Sequence, residues 1–124
     1  MSTARQVCVV DDDQSVRLAL ASLLRSLGYE VATFDSGNAL LQWAGANRAA
    51  CVISDLQMPG MSGMQMFQLL RDSGMHAPLL LITAYPTADL AARARAVGVH
   101  AVLTKPVNAN ELAAHVEAAL NAPV

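Results

Sequence analysis

Six charged or hydroxyl side chains stand at the ends of short apolar runs, where they could act together. They are, in chain order, Asp11, Asp12, Asp13, Asp55, Thr83 and Lys105. Carboxylates bind hard cations such as Mg²⁺ or Mn²⁺, whereas an ammonium and a hydroxyl can hold phosphate oxygens. A carboxylate, a divalent ion, a lysine and a hydroxyl in one place are the groups that phosphoryl transfer needs. These residue types therefore indicate phosphoryl-transfer chemistry, provided that the fold brings them together.

The carboxylates of Asp11, Asp12 and Asp55 would repel one another if they met. Two carboxylates about 5 Å apart repel by about 3 kcal/mol at an effective dielectric constant of about 20. Three of them are stable only when a cation joins them or when some are protonated. Because the donor atoms are all oxygen, the expected ion is Mg²⁺ or Mn²⁺ rather than zinc.

Asp13 and Lys105 also have ordinary structural explanations. An acidic residue after a strand often only caps the next helix, and Asp13 is expected to do so. Most lysines are solvated surface charges. Lys105, however, is the only lysine in the sequence, and the other basic residues are all arginine. A compact ammonium suits a single phosphate oxygen better than a planar guanidinium does, so we expect Lys105 to have a chemical role.

The apolar pattern alternates short continuous runs with longer helical periodicities. Strands are predicted at residues 6–10, 30–34, 50–54, 79–83 and 101–104. Helices are predicted from Gln14 to Leu27, from the cap Ser36 to Trp43, from the cap Ser62 to Gly74, from Thr87 to Gly98, and from the cap Asn108 to about Leu120. Strict alternation implies an α/β fold with a parallel sheet and helices on both faces. The carboxyl ends of the strands then share one edge, and the second strand, which contributes no reactive group, is expected at the side of the sheet.

Length and charge restrict the class of protein. A chain of 124 residues with a net charge of −2 is expected to form one domain, and only residues 121–124 resemble a tail or the start of a linker. No basic surface is indicated, so direct nucleic-acid binding by this domain is not expected. We find no signal peptide and no apolar run long enough for a membrane span. Cys8 and Cys51 lie in apolar runs, as buried reduced thiols do, and we predict a cytoplasmic protein.

Four segments carry a resemblance to a known family: VVDDD, VISDLQMPGMSG, LLLITAY and LTKP. Over about residues 5–120 the chain resembles the receiver domains of two-component response regulators, and its details are most similar to the FixJ-like receivers. The resemblance implies a single receiver domain over residues 1–124. It also implies a flavodoxin-like (βα)5 fold, with a doubly wound parallel five-stranded sheet in the strand order 2-1-3-4-5.

The resemblance further implies a role for each site residue. Asp55 would be the phosphoacceptor, and Thr83 and Lys105 would each hold a phosphoryl oxygen. The ligands of Mg²⁺ (or Mn²⁺) would be Asp11, Asp12, Asp55 and the backbone carbonyl of Gln57. Pro106 matches the proline that follows the lysine in the family, often after a cis peptide bond.

Receiver domains accept a phosphoryl group from a sensor histidine kinase or a phosphotransfer protein. The resemblance therefore implies a phosphoacceptor signalling domain and not a conventional enzyme, with phosphotransfer and slow dephosphorylation as its only catalysis. Phosphorylation would remodel the face made by the fourth helix, fifth strand and fifth helix. That change would control an output such as transcription, and it could promote a homodimer. FixJ-like receivers are usually joined to a helix-turn-helix output domain.

Two positions are unusual for the family. Receivers usually carry Tyr or Phe three residues before the lysine, where this chain has Val102. A branched aliphatic side chain cannot swing as an aromatic does, so we expect the signal to travel through the loop after the fourth strand and through the fourth helix. Tyr85, two residues after Thr83, is expected to be either an ordinary loop aromatic or a shield over the phosphorylated site.

Two other functions stay open on the sequence alone. Asp11, Asp13 and Ser15 fit the Asp-x-Asp-x-Thr/Ser start of haloacid-dehalogenase-type phosphatases, in which Asp11 would be the nucleophile and Asp13 the general acid. Against this alternative, the chain is short for that fold and Asp55 would have no role. The second alternative is a pseudo-receiver, a binding module that is not phosphorylated, and Val102 keeps it open.

Overall fold

The structure is a computed structural model that describes residues 6–43 and 49–121. Its strands are β1 (Gln6–Val10), β2 (Glu30–Phe34), β3 (Ala49–Asp55), β4 (Leu79–Thr83) and β5 (Ala101–Thr104). Its helices are α1 (Gln14–Ser26), α2 (Gly37–Gln42), α3 (Gly63–Asp72), α4 (Ala88–Val97) and α5 (Ala109–Leu120). Strands and helices alternate along the chain, as the apolar pattern predicts.

The strands form one parallel sheet in the order β2-β1-β3-β4-β5. The predicted flavodoxin-like α/β fold is therefore confirmed, and β2 is an edge strand as expected. Asp55 of β3 is level with Ile82 of β4, and Thr83 is level with Thr104 of β5. This order places the ends of β1, β3, β4 and β5 side by side, which is where the sequence puts its reactive groups.

Two hydrophobic cores lie on the two faces of the sheet, because alternate residues of each strand point to opposite sides. One core packs α2, α3 and α4 against the sheet and includes Leu40, Phe67 and Ala94. The other core packs α1 and α5 and includes Leu24 and Val116. Burial on both faces explains why β1, β3 and β4 are continuous apolar runs in the sequence.

The observed ends of several elements differ by one or two residues from the predicted ones. Asp55 is the last residue of β3, whereas the sequence pattern predicts that the strand ends one residue earlier. The reason is that the parallel ladder continues past it, with the N–H of Leu56 donating to the carbonyl of Ile82. Helices α1 and α2 each end one residue early, because Leu27 and Trp43 are C-caps.

The predicted helix starts are confirmed by side-chain hydrogen bonds to backbone N–H groups. The capping residues are Asp13, Ser36, Ser62, Thr87 and Asn108. At α5, Asn108 accepts from the N–H groups of Asn110 and Glu111. A reciprocal capping box forms at α3, where Gln65 also accepts from the backbone of Ser62.

Cys8 and Cys51 are buried free thiols, as predicted. Burial raises the pKa of each thiol to about 12, so neither is a reactive thiolate at neutral pH. Within residues 6–43 and 49–121, no helix combines the length and the apolar character that a membrane crossing requires. The predicted tail, residues 121–124, lies outside the described residues except for Asn121, the C-cap of α5.

Candidate functional site

Three carboxylates gather where β1 and β3 end. Asp11 and Asp12 follow β1, and Asp55 ends β3. One oxygen from each of these side chains lies within 4.8 Å of the other two. Asp11 and Asp55 are buried, whereas Asp12 is exposed. The structure therefore brings together the acidic set that the sequence predicts, and leaves one side of it open to solvent.

Lys105 places a positive charge beside this cluster. Its Nζ lies 3.3 Å from Oδ2 of Asp55 and 3.7 Å from Oδ2 of Asp11. The N–H of Lys105 donates to the carbonyl of Thr83 at 2.9 Å, which ties the end of β5 to the end of β4. The Lys105–Pro106 peptide bond is cis, as the resemblance implies. The lysine thus lies against two carboxylates and not in open solvent.

Asp11 uses nearly all of its hydrogen-bonding groups within the protein. Its N–H donates to the carbonyl of Phe34 at 3.1 Å, and its Oδ1 accepts from the N–H of Asp13 at 2.9 Å. Its carbonyl accepts from Nη1 of Arg17 at 2.7 Å. Oδ2 is buried and has no hydrogen-bond partner among the described residues, since Lys105 is too distant for such a bond. Oδ2 of Asp11 is therefore a buried carboxylate oxygen that has Lys105 as a charged neighbour but accepts no hydrogen bond.

The surroundings of Asp11 suit a bound cation. Burial raises the pKa of Asp11 above its usual value, because desolvation disfavours the charged carboxylate. The hydrogen bond from Asp13 and the charge of Lys105 lower this pKa, while the charges of Asp55 and Asp12 raise it. An all-oxygen donor set that includes a buried oxygen without a hydrogen bond fits a hard divalent ion such as Mg²⁺.

Asp13 lies next to the cluster in sequence but has a different role. Its Oδ1 accepts from the N–H of Ser15 at 2.9 Å, from the hydroxyl of Ser15 at 2.7 Å and from the N–H of Val16 at 3.2 Å. The hydrogen bond from the Ser15 hydroxyl, with those from the backbone, lowers the pKa of Asp13. A general acid needs a shift in the opposite direction. The predicted role of Asp13 as a helix cap is confirmed.

Thr83 ends β4, and Gln57 lies in the loop that follows β3. Thr83 is buried, and its Oγ1 accepts from the N–H of Tyr85 at 3.2 Å. A hydroxyl that accepts this bond still has its own hydrogen to donate. The N–H of Gln57 lies 3.4 Å from Oδ1 of Asp55, and the Tyr85 side chain is 76% exposed. Metal binding by the Gln57 carbonyl stays a prediction, as does shielding by Tyr85.

One glycine and one arginine also support the site. The family resemblance already matches Gly63 to the helix start after the acceptor, whereas its close packing and the role of Arg17 are not predicted from the sequence. A Cβ on Gly63 would lie 2.7 Å from the carbonyl oxygen of Asp55 and 2.8 Å from Cδ2 of Leu81. Glycine therefore lets the start of α3 approach the end of β3. Arg17 reaches the Asp11 carbonyl from the first turn of α1. One feature of the sequence could have indicated a role for Arg17. It is a cation in the first turn of a predicted helix, where the helix dipole disfavours positive charge.

The chain matches a known protein family over most of its length. The sequence profile of the response regulator receiver domain matches residues 7–117. The chain belongs to this family. The resemblance drawn from the four sequence segments is thereby confirmed, and this receiver domain can be compared with its relatives.

The curated relatives of this receiver domain are longer proteins. It is 32% identical over 120 residues to the transcriptional regulatory protein FixJ of Bradyrhizobium diazoefficiens, covering 97% of this chain and 58% of FixJ. It is 39% identical over 109 residues to the response regulator protein FleR of Pseudomonas aeruginosa, covering 88% of this chain and 23% of FleR. The chain thus spans little more than half of FixJ and about a quarter of FleR.

Solved structures share the fold of this receiver domain over nearly its whole length. The chemotaxis protein CheY4 of Vibrio cholerae has a TM-score of 0.86 at 31% identity, covering 94% of this chain and 99% of CheY4. FixJ-N has a TM-score of 0.85 at 29% identity, covering 100% of this chain and 98% of that structure. Both comparisons agree with the sheet order described above.

Membership of the receiver family decides against the haloacid-dehalogenase-type alternative. That alternative assigns the general acid to Asp13, whose carboxylate caps α1. It also leaves Asp55 without a role, although Asp55 lies in the acidic cluster and contacts Lys105. The pseudo-receiver alternative shares the fold, so only a measurement of phosphorylation distinguishes it.

Proposed function

We propose that this receiver domain accepts a phosphoryl group on Asp55 from a phosphohistidine of a partner protein. The observation that carries the proposal is the ammonium of Lys105, 3.3 Å from Oδ2 of Asp55 and 3.7 Å from the buried Oδ2 of Asp11. A carboxylate at the end of a central strand, with a fixed cation and an acidic pair beside it, meets the requirements of phosphoryl transfer.

Asp11, Asp12 and Asp55 would hold Mg²⁺ (or Mn²⁺), together with the backbone carbonyl of Gln57. Support comes from the all-oxygen donor set and from the buried Oδ2 of Asp11, which accepts no hydrogen bond. When bound, the divalent ion would neutralise charge on the phosphoryl oxygens. Exposed Asp12 leaves the site accessible to an ion from solvent.

The remaining chemistry belongs to side chains of the receiver domain itself. A carboxylate oxygen of Asp55 attacks phosphorus in line and forms the O–P bond of an acyl phosphate, while the N–P bond to the partner's phosphohistidine breaks. The leaving nitrogen keeps the electron pair of that bond. Lys105 balances the charge of one phosphoryl oxygen, and the hydroxyl of Thr83 donates a hydrogen bond to another.

The proposed partner is a sensor histidine kinase or a phosphotransfer protein, and the proposed role is signalling, without turnover of a separate substrate. Phosphorylation would shift the population between two packings of the face formed by α4, β5 and α5. That shift would control an output, with transcription as the first candidate because FixJ is a transcriptional regulatory protein. It would also promote a homodimer, while any DNA binding would belong to an output domain.

Acetyl phosphate, a small phosphoryl donor, tests this proposal without knowledge of the kinase. With Mg²⁺ present, the chain should gain the mass of one phosphoryl group, and hydroxylamine should remove it as expected for an acyl phosphate. Borohydride reduction and peptide mapping should place the group on Asp55. A phosphoryl group found on Asp11 would overturn the assignment of Asp55 as the acceptor. Mg²⁺ binding without phosphorylation would identify a pseudo-receiver. The same reaction with a chelator is the control.

Tyr85→Ala is expected to shorten the lifetime of the acyl phosphate by about twofold or more, because the ring would no longer obstruct the attacking water. The rate of phosphorylation should change little, since Tyr85 contributes only its backbone N–H to Thr83. Tyr85→Phe keeps the ring and should keep the lifetime. Decay of label measured by mass spectrometry checks both variants, and an unchanged lifetime in Tyr85→Ala would make Tyr85 an ordinary loop aromatic.

Val102 is half-buried against the core beneath α2, α3 and α4, and it is level with Leu81 of β4. Its side chain has one strongly preferred rotamer and cannot alternate between two positions. Beryllofluoride, a phosphoryl mimic, should therefore perturb the amides of residues 83–93 more than those of Val102 and Leu103 in NMR spectra. In Val102→Tyr the perturbation should spread into β5. If the largest amide perturbations in the parent protein occurred at Val102, the signal would not travel through the loop after β4 and through α4.

A further inference from the structure

Arg17 binds the backbone directly beside the acidic cluster. Its Nη1 lies 2.7 Å from the carbonyl oxygen of Asp11, and the residue is half-buried in the first turn of α1. Long side chains on a helix point back toward its N-terminus. This direction carries the guanidinium of Arg17 over the connection between β1 and α1, where Asp11 and Asp12 lie.

The position of Arg17 is unfavourable for the helix alone. The N-terminus of a helix carries partial positive charge, so a cation in the first turn is destabilising. The first turn of α1 itself carries no acidic residue, and the carboxylate of the N-cap Asp13 accepts hydrogen bonds from Ser15 and Val16. Arg25, by contrast, lies in the last turn of the same helix, where a cation is favoured. The bond from Arg17 to the Asp11 carbonyl therefore compensates for a local cost of its position.

This bond helps to fix the peptide that joins the two acidic residues. The N–H of Asp11 is held by Phe34 and its Oδ1 by Asp13, so the bond from Arg17 to its carbonyl is the third restraint on Asp11. The carbonyl of Asp11 shares a rigid peptide plane with the N–H of Asp12. Holding that carbonyl therefore sets the direction in which the chain enters Asp12, and with it the position of the exposed carboxylate.

We infer that Arg17 is a positioning residue for the cation site, acting through the peptide between Asp11 and Asp12. The inference rests on the proposed function, because it assumes that the acidic cluster holds Mg²⁺. Charge alone predicts the opposite effect: a guanidinium near the cluster repels Mg²⁺, so its removal would tighten binding. Positioning predicts that its removal weakens binding. The sign of the change therefore separates the two.

Calorimetric titration of the full chain with Mg²⁺ alone tests this inference. Arg17→Met should raise the Kd for Mg²⁺ by about tenfold, the usual effect of removing a group that orients a metal ligand. Arg25→Met is the matched control, since it removes the same charge from α1 together with a bond to the carbonyl of Val31 at 3.3 Å. Its Kd should stay close to that of the parent. The difference between the variants should persist at high salt, where charge effects are screened.

Methionine and glutamine both favour helices, so Arg17→Gln is a second variant with the same expectation if Arg17→Met does not fold. NMR of the metal-free variants gives an independent measurement, in which the Asp12 amide should shift in Arg17→Met and not in Arg25→Met. An equal Kd in the two methionine variants, or tighter binding by Arg17→Met, would overturn the inference. A parent that binds Mg²⁺ but takes no phosphoryl group would overturn only the proposed function, and a parent that binds no Mg²⁺ would overturn both.

Discussion

Asp55→Asn is expected to abolish phosphorylation by acetyl phosphate while leaving the fold intact. An asparagine amide has nearly the shape of the carboxylate, but it lacks the anionic oxygen that attacks phosphorus. Asp55 is buried at the end of β3, beside Lys105, so no solvent-exposed carboxylate can substitute for it in the same geometry. Intact mass spectrometry should detect no phosphoryl group, and circular dichroism should show an unchanged secondary structure.

Asp72→Asn is the matched control for this variant. Asp72 is an exposed carboxylate at the end of α3, where its Oδ1 accepts from the Gln68 side chain. The substitution makes the same change in shape and charge, and it should leave phosphorylation at the level of the parent. A hydroxylamine-sensitive phosphoryl group on Asp55→Asn would rule out Asp55 as the acceptor.

Lys105→Ala is expected to slow phosphorylation by about a hundredfold or more, the usual effect of removing one fixed group that stabilises transition-state charge. The ammonium lies within 3.7 Å of both Asp11 and Asp55, so its loss also leaves two carboxylates without their cation. Lys105→Arg should not restore the rate. The guanidinium is larger and planar, and it would have to fit beside both carboxylates in the space that the compact ammonium fills.

The initial rate of label incorporation from acetyl phosphate measures this effect at saturating Mg²⁺. Arg95→Ala serves as the control, because it removes one positive charge from an exposed position in the last turn of α4. Its rate should match that of the parent. A fully active Lys105→Arg would show that any positive charge at this position is sufficient. A fully active Lys105→Ala would show that Lys105 has no role in phosphorylation.

Much of the fold could be predicted because its strongest signals are local. The continuous apolar run of β4 records burial on both faces of the sheet, which a parallel α/β fold imposes on its central strands. The sequence predicts Asp13 and Asn108 as caps because their partners are only two or three residues away. It predicts the end of β3 one residue too early because the bond from Leu56 to Ile82 joins two strands, and no local pattern indicates it.

The amino-acid sequence is sufficient to predict which chemical groups lie at the ends of the strands. Asp11, Asp12, Asp55, Thr83 and Lys105 each follow or end an apolar run, and parallel strands necessarily bring such ends to one edge. Residue type and order along the chain are enough for that conclusion. They also carry the segments by which the receiver family is identified.

The contacts that hold those groups in place, by contrast, are visible only in the folded structure. Three features of the site depend on distances and directions in the folded chain. Oδ2 of Asp11 accepts no hydrogen bond, Arg17 donates to the Asp11 carbonyl, and Gly63 lies close to Asp55. One oxygen of a carboxylate can accept a hydrogen bond while the other accepts none, and the sequence pattern is the same whichever oxygen is bonded. The physical reason is that these contacts are set by the packing of α1, α3 and β5 around the ends of β1 and β3, and that packing brings together residues far apart in the chain.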